Sequence, residues 1–391
     1  MKLTVCLFAI ALLLSCNTTT KKVEKKEDKW SVKMANSVLE RYDTLGYYNG
    51  RTRIGWSYDI AMLGMAIDKL GDIDKKYSDY LSTYMDGMVM EDGSVPRYRL
   101  DKFNIDLINP AKALFTEYKE TRNKKYKKAI PQFVEQMKQH PKTQTGGFWH
   151  KKVYPNQMWL DGLYMGSPFL AQYAKEFNAP EWFDVVAKQI TLVYEKTLDP
   201  KTGLLYHAWD ESKQQKWSNP ETGQSPNFWS RSMGWYVMAI VDVLDFMPED
   251  HPQRAEIISI LQKTCDALMK VQDPESGVWY QVLDQGNREG NYLEGSGTAM
   301  YIYAFAKGAK NGYLDKSYLD KANTAFDNMI KEFIKNDENG IISMVNICGA
   351  CGLGGNPYRD GTYEYYINEK IVTNDCKGVA PFIFAAIELD R

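Results

Sequence analysis

The chain's 391 residues are 44% hydrophobic, 13% aromatic and 25% charged, with 48 Lys+Arg against 50 Asp+Glu for a net charge of −2. So balanced a chain lacks the broad positive field that nonspecific phosphate binding requires, which argues against DNA or RNA as a partner, and its apolar fraction excludes a mostly disordered polypeptide. The 10 Trp, 26 Tyr and 15 Phe supply core material, and they also suit sugars, whose pyranose rings present apolar C–H faces to aromatic rings.

At the N-terminus, Lys2 is followed by an apolar run from Leu3 to Leu14. A bilayer-spanning helix needs roughly 20 such residues, so the run reads as the apolar region of a secretory signal. Its end, Leu13-Leu14-Ser15-Cys16, resembles a bacterial lipobox. Residues 1–15 are therefore expected to be a signal peptide, with Cys16 the lipidated first residue. In residues 17–29, 8 of 13 side chains are charged, so residues 16–29 read as a solvated tether. Membrane association is expected through the lipid anchor only, because no later segment reads as a span. The expected location is that of an exported lipoprotein, periplasmic or anchored at the outer membrane of a Gram-negative bacterium.

From residue 30 to 391 the pattern is that of one catalytic-sized helical domain. Segments 54–70, 107–122, 164–177, 181–197, 231–247, 255–271, 298–312, 318–335 and 378–388 carry apolar residues at three- and four-residue steps. The 231–247 stretch is apolar nearly all round, which predicts a buried helix. Between these segments an acidic or polar residue with glycine recurs, at Gly93, Gly147, Gly203, Gly277 and Gly340, in steps of 54, 56, 74 and 63 residues. Each step holds two helices and a loop. Such a degenerate repeat implies stacked units burying their faces on one another. A closed ring of about six helical hairpins, an all-α (α/α)6 barrel, accounts for the length, the repeat and the glycine turns together. A parallel α/β domain is disfavoured by the scarcity of strand-like runs.

Four cysteines follow the leader: Cys265, Cys348, Cys351 and Cys376. In an oxidising compartment they allow three full pairings. The Cys348-x-x-Cys351 spacing lies in a glycine-rich stretch without the βαβ context of a redox motif. His140, His150, His207 and His251 are scattered and form no His-x-x-x-His pair, so no metal and no cofactor are expected.

Candidate chemistry gathers where loops meet predicted helices. Asp161 sits among Met158, Trp159, Leu160, Leu163, Tyr164 and Met165. A lone acid among apolar groups either caps a helix or is held in a pocket that raises its pKa. Asp106, in Asn104-Ile105-Asp106-Leu107, also precedes helix-like sequence. His150 and His207 follow two of the repeated glycine turns at equivalent places. Arg231 and Trp235, four residues apart, share one helix face.

Together these residues resemble a known family, the unsaturated rhamnogalacturonyl hydrolases of glycoside hydrolase family 105, and more distantly the unsaturated glucuronyl hydrolases of family 88. The resemblance runs from about Trp30 to Arg391. It is carried by Gly146-Gly147-Phe148-Trp149-His150-Lys151, by Met158-Trp159-Leu160-Asp161-Gly162 through Pro168-Phe169-Leu170, and by Trp229-Ser230-Arg231 with Gly234-Trp235. Pro357 to Tyr366 and Lys377 to Phe382 complete it. The cysteines around Gly349-Ala350, and Cys376, depart from the pattern and put the conformation of the glycine-rich loop in question. The resemblance implies an (α/α)6 barrel acting on the 4,5-unsaturated uronic acid that polysaccharide lyases leave on oligosaccharides. Such a group is a vinyl ether. Protonation at C4 generates an oxocarbenium-like centre at C5, to which water adds.

By the same resemblance Asp161 is the expected general acid and then base, kept protonated by its apolar neighbours. Asp106 is expected to bind sugar hydroxyls and tune Asp161. His150, His207 and Arg231 are expected to hydrogen-bond the uronate, with Trp235 and Trp56 or Tyr58 stacking on its ring. Three alternatives stay open. A sugar epimerase would use a His or Tyr acid–base pair, and an inverting glycosidase two acids roughly 6.5–9.5 Å apart. A glycan-binding surface lipoprotein would do no chemistry.

Overall fold

A helix that is apolar on every side must lie inside a layer of other helices, and the arrangement of this chain follows from that rule. The computed structural model describes residues 29–391. The expected signal peptide, Cys16 and the charged tether up to residue 28 lie outside the described residues. In chain order the helices are α1 (Trp30–Arg41), α2 (Tyr58–Asp68), α3 (Lys75–Asp86), α4 (Lys112–Thr121), α5 (Lys124–Gln139), α6 (Leu160–Glu176) and α7 (Glu181–Thr197). They continue with α8 (Ser230–Leu244), α9 (Arg254–Lys270), α10 (Gly295–Lys310), α11 (Ser317–Phe333), the short α12 (Tyr363–Asn368) and α13 (Cys376–Glu388).

Helices α2, α4, α6, α8, α10 and α13 form an inner ring, in which α2 meets α4 through the turn Asn109–Ala111, the others pack each on the next, and α13 closes the ring against α2. Their outer partners are α3, α5, α7, α9 and α11, with α1 lying on α13 so that the two chain ends complete the last hairpin. The amide of Ser31 donates to the carbonyl of Arg391, which ties that closure. Burial sorts the two rings. Every residue of α8 except Asp242 is buried, as is every residue of α10 except its last, whereas α11 buries only Tyr318, Ala322, Ala325, Phe326, Met329 and Phe333 along one stripe. The architecture is the (α/α)6 toroid expected from the repeat.

The nine periodic segments appear as α2, α4, α6, α7, α8, α9, α10, α11 and α13. Helices α1, α3 and α5 were not among them. They are outer helices that each bury one apolar stripe; α3 opens on two lysines, and α5 is lysine-rich and carries Pro131 in its interior. Side chains fix several starts: Asp74 caps α3, Asn123 caps α5, Glu294 accepts from Ser296 and Gly297 at α10, and Asp375 caps α13.

The recurring glycines have a backbone reason. Gly93, Gly203, Gly277 and Gly340 all adopt positive φ, where a side chain is disfavoured. In the second repeat the residue doing so is Gly146 (φ 94°), not Gly147, which corrects the expected register by one. Gly147 is constrained differently, because a Cβ there would collide with the sulfur of Met158.

Three two-stranded antiparallel ribbons decorate the loops. The first pairs β1 (Gln157–Trp159) with β2 (Ala208–Asp210), and β3 (Ile334–Asn336) pairs with β4 (Ile342–Met344). The third pairs β5 (Ile347–Cys348) with β6 (Ile371–Val372). Among the described residues no helix is long and apolar enough to cross a membrane.

Candidate active site

The first turns of α2, α6, α8 and α10 meet at one mouth of the barrel, and the polar side chains of the loops gather there. Ribbon β1–β2 sets Trp159 opposite Ala208, which brings Asp161 in the first turn of α6 beside His207, just ahead of β2. The amide of Leu160 donates to the carbonyl of His207 and locks this juxtaposition. A backbone bridge between Asn104 and Lys151 does the same for Asp106 and His150. Two acid–histidine pairs result. His207 Nε2 stands 3.2 Å from Asp161 Oδ2, and His150 Nε2 stands 3.4 Å from Asp106 Oδ1.

The two pairs differ in what else holds them. Asp106 has a second partner, Lys151, whose ammonium lies 2.7 Å from Oδ2. Burial works against that ammonium, but the Asp106 carboxylate outweighs it and raises the Lys151 pKa above its ordinary value. Burial also pushes His150 down to about 4, with Asp106 only partly compensating, so its ring is neutral at neutral pH. Asp161 has no lysine. Burial raises its pKa, but His207, His150 and Arg231 together outweigh burial and hold the carboxyl below its usual range.

The expectation of a resting protonated Asp161 is therefore corrected. Its apolar neighbours in sequence point around α6 into the core, whereas its neighbours in space are two imidazoles and the Arg231 guanidinium. The field at Asp161 is set chiefly by burial, His207, His150 and Arg231; Asp106 is not among its largest influences.

The contact between Asp161 Oδ2 and His207 Nε2 is out of line for a hydrogen bond, and neither atom has another partner. His150 Nδ1 and Arg231 Nε are likewise buried without partners. On its far side His207 Nδ1 meets Tyr366 Oη at 2.8 Å. Burial keeps the Tyr366 phenol well above its ordinary pKa, so it retains its proton and can donate it to Nδ1. That hydrogen bond selects the tautomer with its hydrogen on Nε2, facing Asp161.

Arg231 is 1% exposed and lies over the Trp229 ring, 4.7 Å from its centroid. Its fork is taken by protein. Nη1 donates to the carbonyl of Cys348 and, at 3.2 Å, to Ser296 Oγ, while Nη2 reaches the carbonyl of Gly349 at 3.4 Å. The hydrogen bonding of the uronate expected of Arg231 is thus narrowed: Arg231 offers charge and its Nε edge, not a free fork. Tyr58 lies close enough to Asp106, Arg231 and Asp161 for all three to act on its phenol, and it is half-buried at the mouth.

Trp56 and Trp235 do not present free faces. Trp56 stacks on Phe133 at 5.2 Å and donates its indole N–H to the carbonyl of Leu107. Trp235 stacks on Tyr164 at 4.9 Å with Tyr58 against it edge-on. Both are core, so the stacking role expected of Trp56 and Trp235 is corrected.

Lys151, Tyr366 and Trp229 are functional-site residues that residue-by-residue reading passed over. All three lie inside motifs that carry the family resemblance, and Lys151 adjoins His150. All four cysteines are free thiols. Cys376 is not at the glycine-rich loop as expected; it is buried at the start of α13, where Asp59 of α2 acts on its thiol. His140 serves structure, its Nε2 bonded to the carbonyl of Trp149, and His251 pairs with Asp184. Among the described residues no group of three or more His, Cys, Asp or Glu side chains is arranged to hold a metal.

Comparison with known proteins agrees with this geometry. A sequence profile described as Glycosyl Hydrolase Family 88 matches residues 30–391. A solved structure of a family 105 glycoside hydrolase from C. acetobutylicum ATCC 824 superposes with a TM-score of 0.89 at 45% identity, covering 93% of this chain and 99% of that one. Protein Atu3128 of Agrobacterium fabrum is 36% identical over 230 residues, 57% of this chain and 97% of its own length. The unsaturated rhamnogalacturonyl hydrolase YesR of Bacillus subtilis is 25% identical over 315 residues, 79% of this chain and 84% of its own.

Proposed function

The chain belongs to the family 88 and 105 glycoside hydrolases, and from that premise we propose that it removes the 4,5-unsaturated uronic acid from the non-reducing end of lyase-generated oligosaccharides of the pectin or rhamnogalacturonan type. The observation that carries the reading is the pair of buried, unmatched atoms, Asp161 Oδ2 and His207 Nε2, where the first turns of α2, α6, α8 and α10 meet. The name of the Bacillus relative supports the same substrate class.

The charges of the mouth suit an anionic sugar. Helix N-termini carry partial positive charge, and Arg231 and Lys151 add full charges. A uronate carboxylate entering this site brings a like charge near Asp161, which raises the pKa of that acid. The substrate thereby loads the proton it needs. Asp161 then gives the proton to C4, the positive charge developing at C5 is shared with the ring oxygen, and Asp161, now a base, takes a proton from the water that adds at C5. The hemiketal opens to a ketone and the remainder of the chain leaves from C1. In this reading His207 orients Asp161, while Tyr58, His150 and the Asp106–Lys151 pair bind sugar hydroxyls. Asp106, already paired with a lysine, is poorly placed to act as a second acid of an inverting glycosidase.

Turnover of lyase-generated oligosaccharides in heavy, oxygen-labelled water tests the proposal. Deuterium should appear on C4, label at C5, and the ultraviolet absorbance of the alkene should vanish. Label at C1 without deuterium on C4 would instead establish an inverting glycosidase, and epimerised product without cleavage an epimerase. Release should be from chain ends only; internal fragments from intact pectin would contradict it. We also propose export and anchoring through Cys16: wild-type protein should fractionate with membranes and Cys16→Ala should not.

A further inference from the structure

We infer that Cys348 and Cys351 form a dithiol site at the barrel mouth that reacts reversibly with small disulfides to close an intramolecular disulfide. The two sulfurs stand 3.3 Å apart across Gly349-Ala350. The side-chain amide of Gln281 donates to both, at 3.2 and 3.6 Å, so the pair is oriented by a shared donor as well as by the chain. Cys265 and Cys376 are buried thiols for which no sulfur partner is found.

The setting favours thiolate chemistry. Arg231 lies beside the pair, and a neighbouring cation stabilises the thiolate that attacks a disulfide. The hydrogen bond from Cys351 and the charge of Arg231 both draw the Cys348 thiol below its ordinary pKa. Access is graded, because Cys348 is fully buried and Cys351 half-buried. An external disulfide therefore meets Cys351 first.

The pair shares its remaining proton. At rest the charge lies on Cys348, because burial and Cys348 hold the Cys351 thiol well above its ordinary pKa. When the shared proton passes to Cys348, the Cys351 thiolate attacks one sulfur of the external disulfide, whose S–S bond breaks and releases one thiolate. Cys348, deprotonated in turn, attacks the Cys351 sulfur of the mixed disulfide and expels the second thiolate. The two protein sulfurs are oxidised to a disulfide and one external disulfide is reduced to two thiols, which take the pair's one proton and a second from solvent. The closing step is intramolecular between sulfurs already in contact, so the mixed disulfide is short-lived. Bond formation needs an approach to about 2.05 Å, a shift that rotation of the Cys351 side chain supplies.

The bond closes a ring over two catalytic supports. Arg231 is held by the carbonyls of Cys348 and Gly349, and the amide of Gly352 donates to Tyr365 next to Tyr366. The inference concerns thiol state alone and does not depend on the reaction proposed above.

The test uses the full wild-type chain equilibrated against graded ratios of reduced to oxidised glutathione, quenched in acid, unfolded and alkylated, then digested for mass spectrometry. As the oxidised share rises, the peptide holding Cys348 and Cys351 should appear unalkylated and two hydrogens lighter. Cys265 and Cys376 should take the alkyl label at every ratio. Full alkylation of Cys348 and Cys351 at every ratio would overturn the inference, as would a persistent glutathione adduct on Cys351. Bridges from either residue to Cys265 or Cys376 would overturn it too.

Discussion

The two ends of the inner ring both bury charge, and they do so in opposite ways. Eleven residues beyond Arg231 on α8, and eleven beyond Ser296 on α10, about 16 Å of helix rise deeper, lie Asp242 and Lys307. There Lys307 Nζ meets Asp242 Oδ1 at 2.7 Å and Asp245 Oδ2 at 2.6 Å, and Tyr303 donates to Asp242 at 2.6 Å. Burial raises the Asp242 pKa, but Lys307 and Lys112 outweigh it and keep the acid ionised. None of these side-chain atoms lacks a partner. At the mouth, by contrast, Asp161 Oδ2, His207 Nε2, His150 Nδ1 and Arg231 Nε are buried without one. A buried polar atom left unmatched costs stability, so a fold tolerates such a cluster where substrate groups complete it. The base is complete in itself, and the mouth is where the proposed chemistry is placed.

The sharpest way to break that comparison is to remove the mouth's acid. Asp161→Asn keeps the shape and cannot carry the proton, so kcat should fall by about 10²–10⁴, with an unfolding midpoint shifted less than in the base variant below. Near-normal turnover would leave the reaction class standing and assign the acid elsewhere.

The complementary change is Lys307→Met at the base. Removing one partner of a buried ion pair leaves the acids uncompensated, at a cost of about 3–5 kcal/mol, read as a lower denaturant midpoint. Activity per folded molecule should stay within about twofold. A large loss of kcat without a loss of stability would show that the base reaches the chemistry.

How much of this contrast was legible in the sequence depends on whether a signal is local. The ring was readable because α8 and α10 are apolar on all sides and because positive-φ glycines recur at similar spacing. The outer helices α1, α3 and α5 bury only one stripe each, and in α5 lysines and Pro131 interrupt the pattern. At the site, Asp161, Asp106, His150, His207, Arg231 and Tyr58 come together at one mouth. Their electrostatics were not legible, because neighbours in sequence stood in for neighbours in space: Met158 and Leu163 suggested a protonated Asp161, and the polar groups that face it come from residues 150, 207 and 231. The occupied fork of Arg231 and the covered faces of Trp56 and Trp235 were equally hidden, being set by residues far along the chain. So was the Asp242–Lys307 cluster, whose partners are 65 positions apart.

Acid should separate the two ends as well. Burial pushes both His150 and His140 down to about 4 from an ordinary 6.5. As pH falls below 6.5 the unfolded chain takes up protons that these folded rings refuse. Their contribution to stability is therefore complete above pH 6.5 and is lost progressively down to about pH 4. His150→Gln should flatten the fall of unfolding free energy across that window by on the order of 3 kcal/mol. In the wild type, NMR of the imidazole should find the His150 ring neutral until about pH 4. Protonation near 6.5 would contradict the packing described for it.

The smallest expected effect tests how the mouth holds its proton geometry. Tyr366 is buried, stacks on Trp229 at 6.2 Å, and reaches His207 Nδ1 through its hydroxyl. Tyr366→Phe keeps the ring packing and removes only that hydroxyl. The hydrogen on His207 is then free to sit on Nδ1, which turns a lone pair toward the Asp161 carboxylate, and the two repel. Because a fraction of molecules adopts the wrong tautomer, kcat should fall about tenfold, the worth of about 1.4 kcal/mol, with KM little changed and the acidic limb of the pH–rate profile displaced. Stability should drop by only about 1 kcal/mol, the usual value of one neutral hydrogen bond. If Tyr366 merely filled space, the variant would lose stability alone and its pH profile would stay where it was. A displaced profile at nearly unchanged stability is the outcome that marks Tyr366 as a positioning residue acting through His207.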